Sequence, residues 1–523
     1  MPELLPAKAS FRPDEPIEIE IRGNVPAGTL RVWHLGQLVS ETPYPGGPSL
    51  TLPGLPEGGY GIELGDLRTA IEIAADPRQR LRYGFVASYA PDKDVTGLTD
   101  TARRLHLTGI QFYDWAYRHA DLMGGGDSYN DALDQPIALA TVQRLVTAVQ
   151  AAGSRALGYA AVYAVGPKEW PLWQHQALLK AGGEPYALGD FLFVLDPAAP
   201  DWLAHFTADL TSATATLGFD GYHLDQYGYP KRAIRADGAD VDVAASFVTL
   251  IEGVRAALPD AHLVFNNVND FPTGLTARAD QDAVYIEPWA PQLTLQALAD
   301  TASRARAAGN GKPVVFAAYQ HVYDKASAVE SDRATALTMA TLFSHGATQL
   351  LAGETDRILV DPYYVRNHVA EPGTAALLKR WYDFLVAHDE LLMPPALVEV
   401  THSYAGDYNG DLDVTFANAE TSVTAEPGKI WRRIVRAGDR LVIHLINLCG
   451  QTDTLWDAAR QPLSSPGDAT LRIRALRGRQ PQVSIADPDG SGRLEPVATT
   501  SHGDHATASL PTLGTWQLIV VDL

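Results

Sequence analysis

Cysteine is almost missing from this chain: Cys449 is the only one in 523 residues. No internal disulfide can form, and no cysteine-rich metal site can be built. Cys449 ends the apolar run Leu441–Cys449 and reads as a small buried hydrophobe. Long apolar runs are missing too, since none approaches the roughly 18 residues that suggest a membrane span. The opening MPELLPAKASFRPDEP lacks the charged segment and apolar core of a signal peptide. The expectation is a protein without membrane contact, either cytoplasmic or secreted with its signal already removed. Positive charge is scarce. Against 62 Asp and Glu stand 41 Lys and Arg, a net charge of −21. Such a chain repels nucleic acid and anionic membranes, and it suits a neutral substrate such as a polysaccharide. Most of that acidity is expected simply to keep the protein soluble. HExxH spacing is absent, so neither a catalytic metal nor any other cofactor is expected. DPDGSG at 487–492 has Ala498 where a calcium loop needs its twelfth-position Glu, and reads as a turn.

What is present falls into three parts. Residues 1–78 alternate apolar with polar in IEIEIRG, LRVWHLG and TAIEIAAD, punctuated by NVPAG, PYPGGP and PEGGY. This predicts a small immunoglobulin-like β-sandwich. Residues 79–393 alternate short apolar runs with amphipathic stretches such as TVQRLVTAVQAAG and AASFVTLIEGVRAAL. The strand candidates are 82–89, 109–115, 155–164, 221–228, 262–269, 283–289, 313–320 and 348–354. Eight of them over some 300 residues predict a (β/α)8 TIM barrel. Residues 394–523 return to β-type runs, among them KIWRRIVRAG, DRLVIHLINL, ATLRIRAL and TWQLIVVDL, and predict a C-terminal antiparallel β-sandwich.

A barrel of this kind carries its active site at the C-terminal ends of its strands. There the sequence sets out carboxylates, amides and aromatics: Asp114 and Trp115, Tyr163, His223, Asp225 and Gln226, Asn267 beside Asn266, Glu287 and Trp289, Tyr319, and Glu354. No Gly-rich phosphate loop follows a strand, and no Ser-His-Asp order with a nucleophile elbow occurs. Aromatic faces stack on sugar rings, and amides and carboxylates bind hydroxyls. Glycosidic cleavage needs two carboxyl groups flanking the bond. Asp225 sits in the dense run GFDGYHLDQYG and is the expected nucleophile. Glu287, in VYIEPW, lies among apolar and aromatic neighbours that raise a carboxyl pKa, as a general acid requires. The remaining strand-end residues are expected to bind substrate. Asp114 has a second reading, a salt bridge to Arg118, and Asp220 reads as structural.

At these residues the sequence resembles glycoside hydrolase family 66, the dextranases and cycloisomaltooligosaccharide glucanotransferases. The matching stretches are IQFYDWAYRHADLM (110–123), GFDGYHLDQYG (218–228), YIEPWA (285–290), LAGETDRILVDPYYVRN (351–367) and HLINLCGQTDTLWDAARQP (444–462), with KASFRPDEPIEIEI near the start. The resemblance implies a retaining mechanism on α-1,6-linked glucan, with Asp225 as nucleophile, Glu287 as acid/base and Asp114 in the subsite of the attacked sugar. The chain departs from the family pattern in reading His-Leu-Asp-Gln around Asp225 and in carrying Pro288 after Glu287. Transferase members carry a long insertion near the barrel's end. Here the eighth strand passes to the C-terminal part within about 40 residues, so hydrolysis is expected over transfer. The leading expectation is retaining endo-hydrolysis of dextran or isomaltooligosaccharides. A transglycosylase or cyclising glucanotransferase, an exo-acting α-glycosidase on a related barrel, and a non-catalytic glucan-binding protein stay open as alternatives, as does the oligomeric state.

Overall fold

The computed structural model describes residues 2–404, 409–475 and 480–522. Leu476 of the expected strand ATLRIRAL, Leu523 at the end of TWQLIVVDL, and Met1 lie outside them.

The middle of the chain builds one curled eleven-stranded sheet. Its strands are β1 (Tyr83–Val86), β2 (Gly109–Phe112), β3 (Arg155–Ala161), β4 (Gly221–Asp225), β5 (His262–Val268), β6 (Ala283–Glu287), β7 (Val314–Phe316), β8 (Thr348–Gln349), β9 (Ala352–Gly353), β10 (Arg357–Ile358) and β11 (His368–Val369). From β1 to β8 each strand pairs in parallel with the next. The strands are buried along nearly their whole length, as parallel strands covered on both faces must be. At one crossing a side chain would not fit: a Cβ on Gly221 would lie 2.0 Å from the carbonyl oxygen of His262.

The expected eighth strand, 348–354, is broken in two. β8 pairs with β7, and Leu350 N–H still reaches Phe316 O at 2.8 Å. β9 then pairs in parallel with β1, and Glu354 N–H reaches Phe85 O at 2.8 Å. One short run therefore bonds to both the seventh and the first strand. The ladder breaks at Leu350–Leu351, where the chain changes partner.

Helices follow the strands: α1 (Val95–Arg104), α2 (Leu139–Ala151), α3 (Pro200–Leu217), α4 (Val243–Ala257), α5 (Leu295–Ala308), α6 (Ala328–Ser344) and α7 (Pro372–Ala387). Local chemistry sets their ends. Ser327 and Glu330 form a reciprocal capping box on α6, Pro200 opens α3, and Gly218 closes it in the left-handed region at φ 79°. The β5–β6 link has only a single turn, Thr273–Thr276. The β3–α3 link makes a long excursion through short strands, including Ala187–Leu188 and Leu192–Val194.

Before this sheet, residues 3–73 form antiparallel sheets of three and four strands around one apolar cluster. IEIEIR buries every second residue, as its alternation predicts. After it, a seven-stranded sheet, antiparallel except where Thr421–Ser422 pairs in parallel with Ile430–Trp431, and an antiparallel four-stranded sheet enclose a second cluster, which includes Cys449. The central strands Ile430–Ala437, Arg440–Asn447 and Trp516–Asp522 are apolar on both faces for a definite reason. Ile434, Ile443 and Ile519 face the cluster between the sheets. Val435, Val442 and Trp516 belong to the large core that runs through the middle of the chain.

Candidate active site

Asp225 and Glu287 are the last residues of β4 and β6, and β5 lies between them. That intervening strand carries Asn266. Its side-chain nitrogen donates to Asp225 Oδ1 at 2.7 Å and to Glu287 Oε2 at 3.0 Å. Both oxygens lie within hydrogen-bond reach of one nitrogen, so they stand no more than about 6 Å apart. Tyr159 O–H donates to Asp225 Oδ2 at 2.7 Å, and Tyr319 O–H to Glu287 Oε1 at 2.9 Å. Each carboxylate thus has one private hydroxyl donor and a share in one common amide.

Burial dominates the electrostatics. It pushes the Glu287 carboxyl up to about 7, and the nearby charge of Asp225 adds to the rise. Burial also raises Asp225, opposed by the bonds from Asn266 and Tyr159. Glu287 therefore holds its proton near neutral pH. Two carboxyl groups held together at strand ends, with one kept in its acid form by burial, are the groups that glycosidic cleavage requires. Asp114 is raised well above the usual carboxylate range by burial, then by the charges of Asp131 and Asp225. Burial depresses His223 to about 3 and His119 to about 4, so both rings are neutral.

The pair opens on a cleft of about 250 Å³. Its floor is aromatic: Tyr113 stacks on Tyr364 at 4.2 Å, and His223 meets Tyr285 edge-on at 4.6 Å. Leu188, Phe191 and Leu192 from the β3–α3 excursion form part of a wall. Among the described residues, no group of three or more His, Cys, Asp or Glu side chains is arranged to hold a metal, and no helix is long and apolar enough to cross a membrane. Another hollow, of about 100 Å³, lies between Trp33 and the loop at 488–494. Its ionisable groups are paired, Arg493 with Glu63 and Arg380 with Asp489, so it offers no comparable carboxyl pair.

The model for glycosyl hydrolase family 66 matches residues 60–520. The chain belongs to glycosyl hydrolase family 66. A cycloisomaltooligosaccharide glucanotransferase of Niallia circulans is 24% identical over 408 residues, 68% of this chain and 41% of that protein. A dextranase of Streptococcus salivarius is 26% identical over 262 residues, 44% of this chain and 32% of that protein. This family 66 chain thus spans well under two thirds of either relative. Among solved structures, a Paenibacillus sp. cycloisomaltooligosaccharide glucanotransferase complexed with cycloisomaltoheptaose superposes with a TM-score of 0.85 at 20% identity, covering 99% of this chain and 100% of that one. An α-amylase of Geobacillus thermoleovorans gives 0.53 at 12% identity, covering 85% of this chain and 98% of that one. At these identities the likeness is one of fold.

Of the residues expected at the site of this family 66 protein, Asp114, His223, Asp225, Gln226, Glu287, Trp289 and Tyr319 line the cleft. Gln226 is already spent, with its amide on the backbone oxygens of Asn266 and Phe271. Four expected residues do not reach the cleft. Trp115 is fully buried against Phe219, and its indole N–H donates to Tyr159 O at 3.1 Å. Tyr163 is buried, donating to Tyr229 O and accepting from Tyr227 N–H. Asn267 is buried beside Thr276 and Tyr285 O. Glu354 accepts from Ala87 and Ser88 N–H and pairs with Lys93, tying the end of β9 to the end of β1. Arg118 lies over the Tyr117 ring and bonds the carbonyls of Tyr117 and Asn130, so it does not neutralise Asp114. Asp220 accepts from Ala156 N–H at 2.8 Å, a structural bond. Gln111, Tyr113, Tyr159, Tyr363 and Tyr364 also line the cleft and were not expected there.

Proposed function

We propose that this protein hydrolyses internal α-1,6-glucosidic linkages of dextran or isomaltooligosaccharides by double displacement with retention of configuration. Asp225 attacks the anomeric carbon while Glu287 gives its proton to the departing glycosidic oxygen. The resulting glucosyl ester on Asp225 is opened by water, whose proton Glu287 takes back. Asp114, His223, Trp289, Tyr319 and the aromatic floor bind the sugar. The observation that carries this reading is the one amide of Asn266 bonded to both carboxylates. A gap no wider than one shared nitrogen allows suits retaining pairs, about 5–5.5 Å apart, better than inverting pairs, which stand roughly 6.5–9.5 Å apart to admit a water. The relatives named dextranase and cycloisomaltooligosaccharide glucanotransferase support the α-1,6-glucan substrate.

The same reading takes the parallel series with its two-sided eighth segment as a closed (β/α)8 barrel over 79–393. The paired antiparallel sheets become flanking sandwiches over 1–78 and 394–523. A second reading, transfer of the glucosyl group to a sugar hydroxyl, shares the ester and rests on the glucanotransferase relatives. The test is proton NMR of the first products from dextran. Retention gives the α anomer, and transfer gives products longer or cyclic beside it. A β anomer would refute double displacement.

A further inference from the structure

We propose that a second hollow, walled by the C-terminal part of the chain, receives the leaving side of the glucan. This rests on the roles given above to Asp225 and Glu287. The hollow measures about 310 Å³ and shares Trp289 and Tyr319 with the catalytic cleft, so the two adjoin. Its other lining includes Leu293, His321, Lys325, Leu455 and Asp457.

Direction follows from the order of residues along the cleft. Asp225 lies toward Tyr159, and Asp114 lies near its charge. Glu287 is bonded to Tyr319, and Tyr319 and Trp289 line both hollows. The proton donor stands beside the oxygen that departs, so the departing glucan extends past Glu287 and the attacked sugar lies past Asp225.

The wall is built rather than incidental. Residues 292–295 and 454–456 are stitched together by backbone: Leu295 N–H to Thr454 O at 2.8 Å, Trp456 N–H to Leu293 O at 3.1 Å, and the Trp456 indole N–H to Gln292 O at 2.8 Å. Asp457 accepts from Val322 N–H at 2.8 Å and pairs with His321. Arg460 N–H bonds Glu330 O. This gives the stretch HLINLCGQTDTLWDAARQP a task in the far half of the cleft. Leu293 and Leu455 are 45% and 40% exposed on this fixed wall. Their apolar surface suits the CH face of a glucosyl ring, and His321, Asp457 and Lys325 supply polar partners for its hydroxyls.

The test compares wild type with Leu293→Ser/Leu455→Ser, and separately with Lys325→Ala, on dextran and on an activated aryl α-isomaltoside. The aryl group fills only the position next to the cleaved bond. Both leucines are solvent-facing, and a melting curve on each variant checks the fold. The expected result is a loss of kcat/KM on dextran at least fivefold greater than on the aryl substrate, with a shifted product-length distribution. Equal losses on both substrates, or no loss on dextran, would overturn the proposal while leaving the roles of Asp225 and Glu287 standing. A folded wild type inert on both substrates would instead overturn the catalytic reading on which it rests.

Discussion

Asp225 and Glu287 share a hydrogen-bond donor: one nitrogen of Asn266 bonds both carboxylates, at 2.7 and 3.0 Å. Burial raises both groups, and this amide opposes the rise in each. Asn266→Ala should lower kcat by about tenfold to a hundredfold. It should also move the whole bell-shaped pH profile of kcat/KM upward, because Asp225 then ionises later and Glu287 holds its proton longer. A profile with unmoved limbs would mean that the bridge does not tune the pair.

The two private hydroxyls allow the limbs to be moved one at a time. Tyr159→Phe removes a donor to Asp225 and should shift mainly the acid limb to higher pH. Tyr319→Phe removes a donor to Glu287 and should shift mainly the alkaline limb, upward as well. Because the carboxyls titrate together, the limbs belong to the pair. The discriminating result is which limb moves further in each variant, and a reversed pattern would exchange the assigned roles.

Glu287 also costs stability. Its folded pKa of about 7 exceeds the ordinary 4.5, so between those values the native state binds more protons than the unfolded state, and stability falls as pH rises. Below pH 4.5 the carboxyl is protonated in both states and costs nothing. Glu287→Gln should therefore raise the melting temperature more at pH 8 than at pH 5, with a ceiling of about 3 kcal/mol from that shift. Equal effects at the two pH values would show that the carboxyl is not held in its acid form.

The position of the proposed pair was legible because each member closes its strand. Which neighbour shares its side of the sheet was also within reach. Val268 is opposite Glu287 in the register, and side chains two apart share a face, so Asn266 faces the cleft and Asn267 does not. The same parity pairs Tyr159 with Ala161, opposite Asp225. Trp115 could not be placed this way. The alternation breaks at Asp114, whose φ of 41° turns the chain beyond β2. Tyr363 and Tyr364 follow β10 on a loop with no period to read. The break between β8 and β9 was hidden because TQLLAGE is apolar enough to pass for one strand, and only the need to pair with both β7 and β1 divides it.

The two tryptophans near strand ends should behave differently. Trp115→Ala removes a fully buried ring and should cost about 3–5 kcal/mol of stability. Trp289 lines both hollows. Trp289→Ala should raise KM on dextran by roughly threefold to tenfold with little change in kcat, the mark of uniform binding. Melting curves and steady-state kinetics on the pair check this. A Trp289 variant that only melts earlier would return that residue to a packing role.

The central claim is a covalent glucosyl ester on Asp225. In Glu287→Ala the ester should form from an activated aryl α-isomaltoside, whose leaving group needs little protonation, and then break down slowly for want of a base. Acid quenching during turnover, proteolysis and peptide mass spectrometry locate the adduct. The account predicts added sugar mass on the peptide carrying Asp225, lost on incubation with azide as an α-glycosyl azide forms. Sugar mass on another carboxylate, or turnover with no adduct and a β-glycosyl azide, would contradict it.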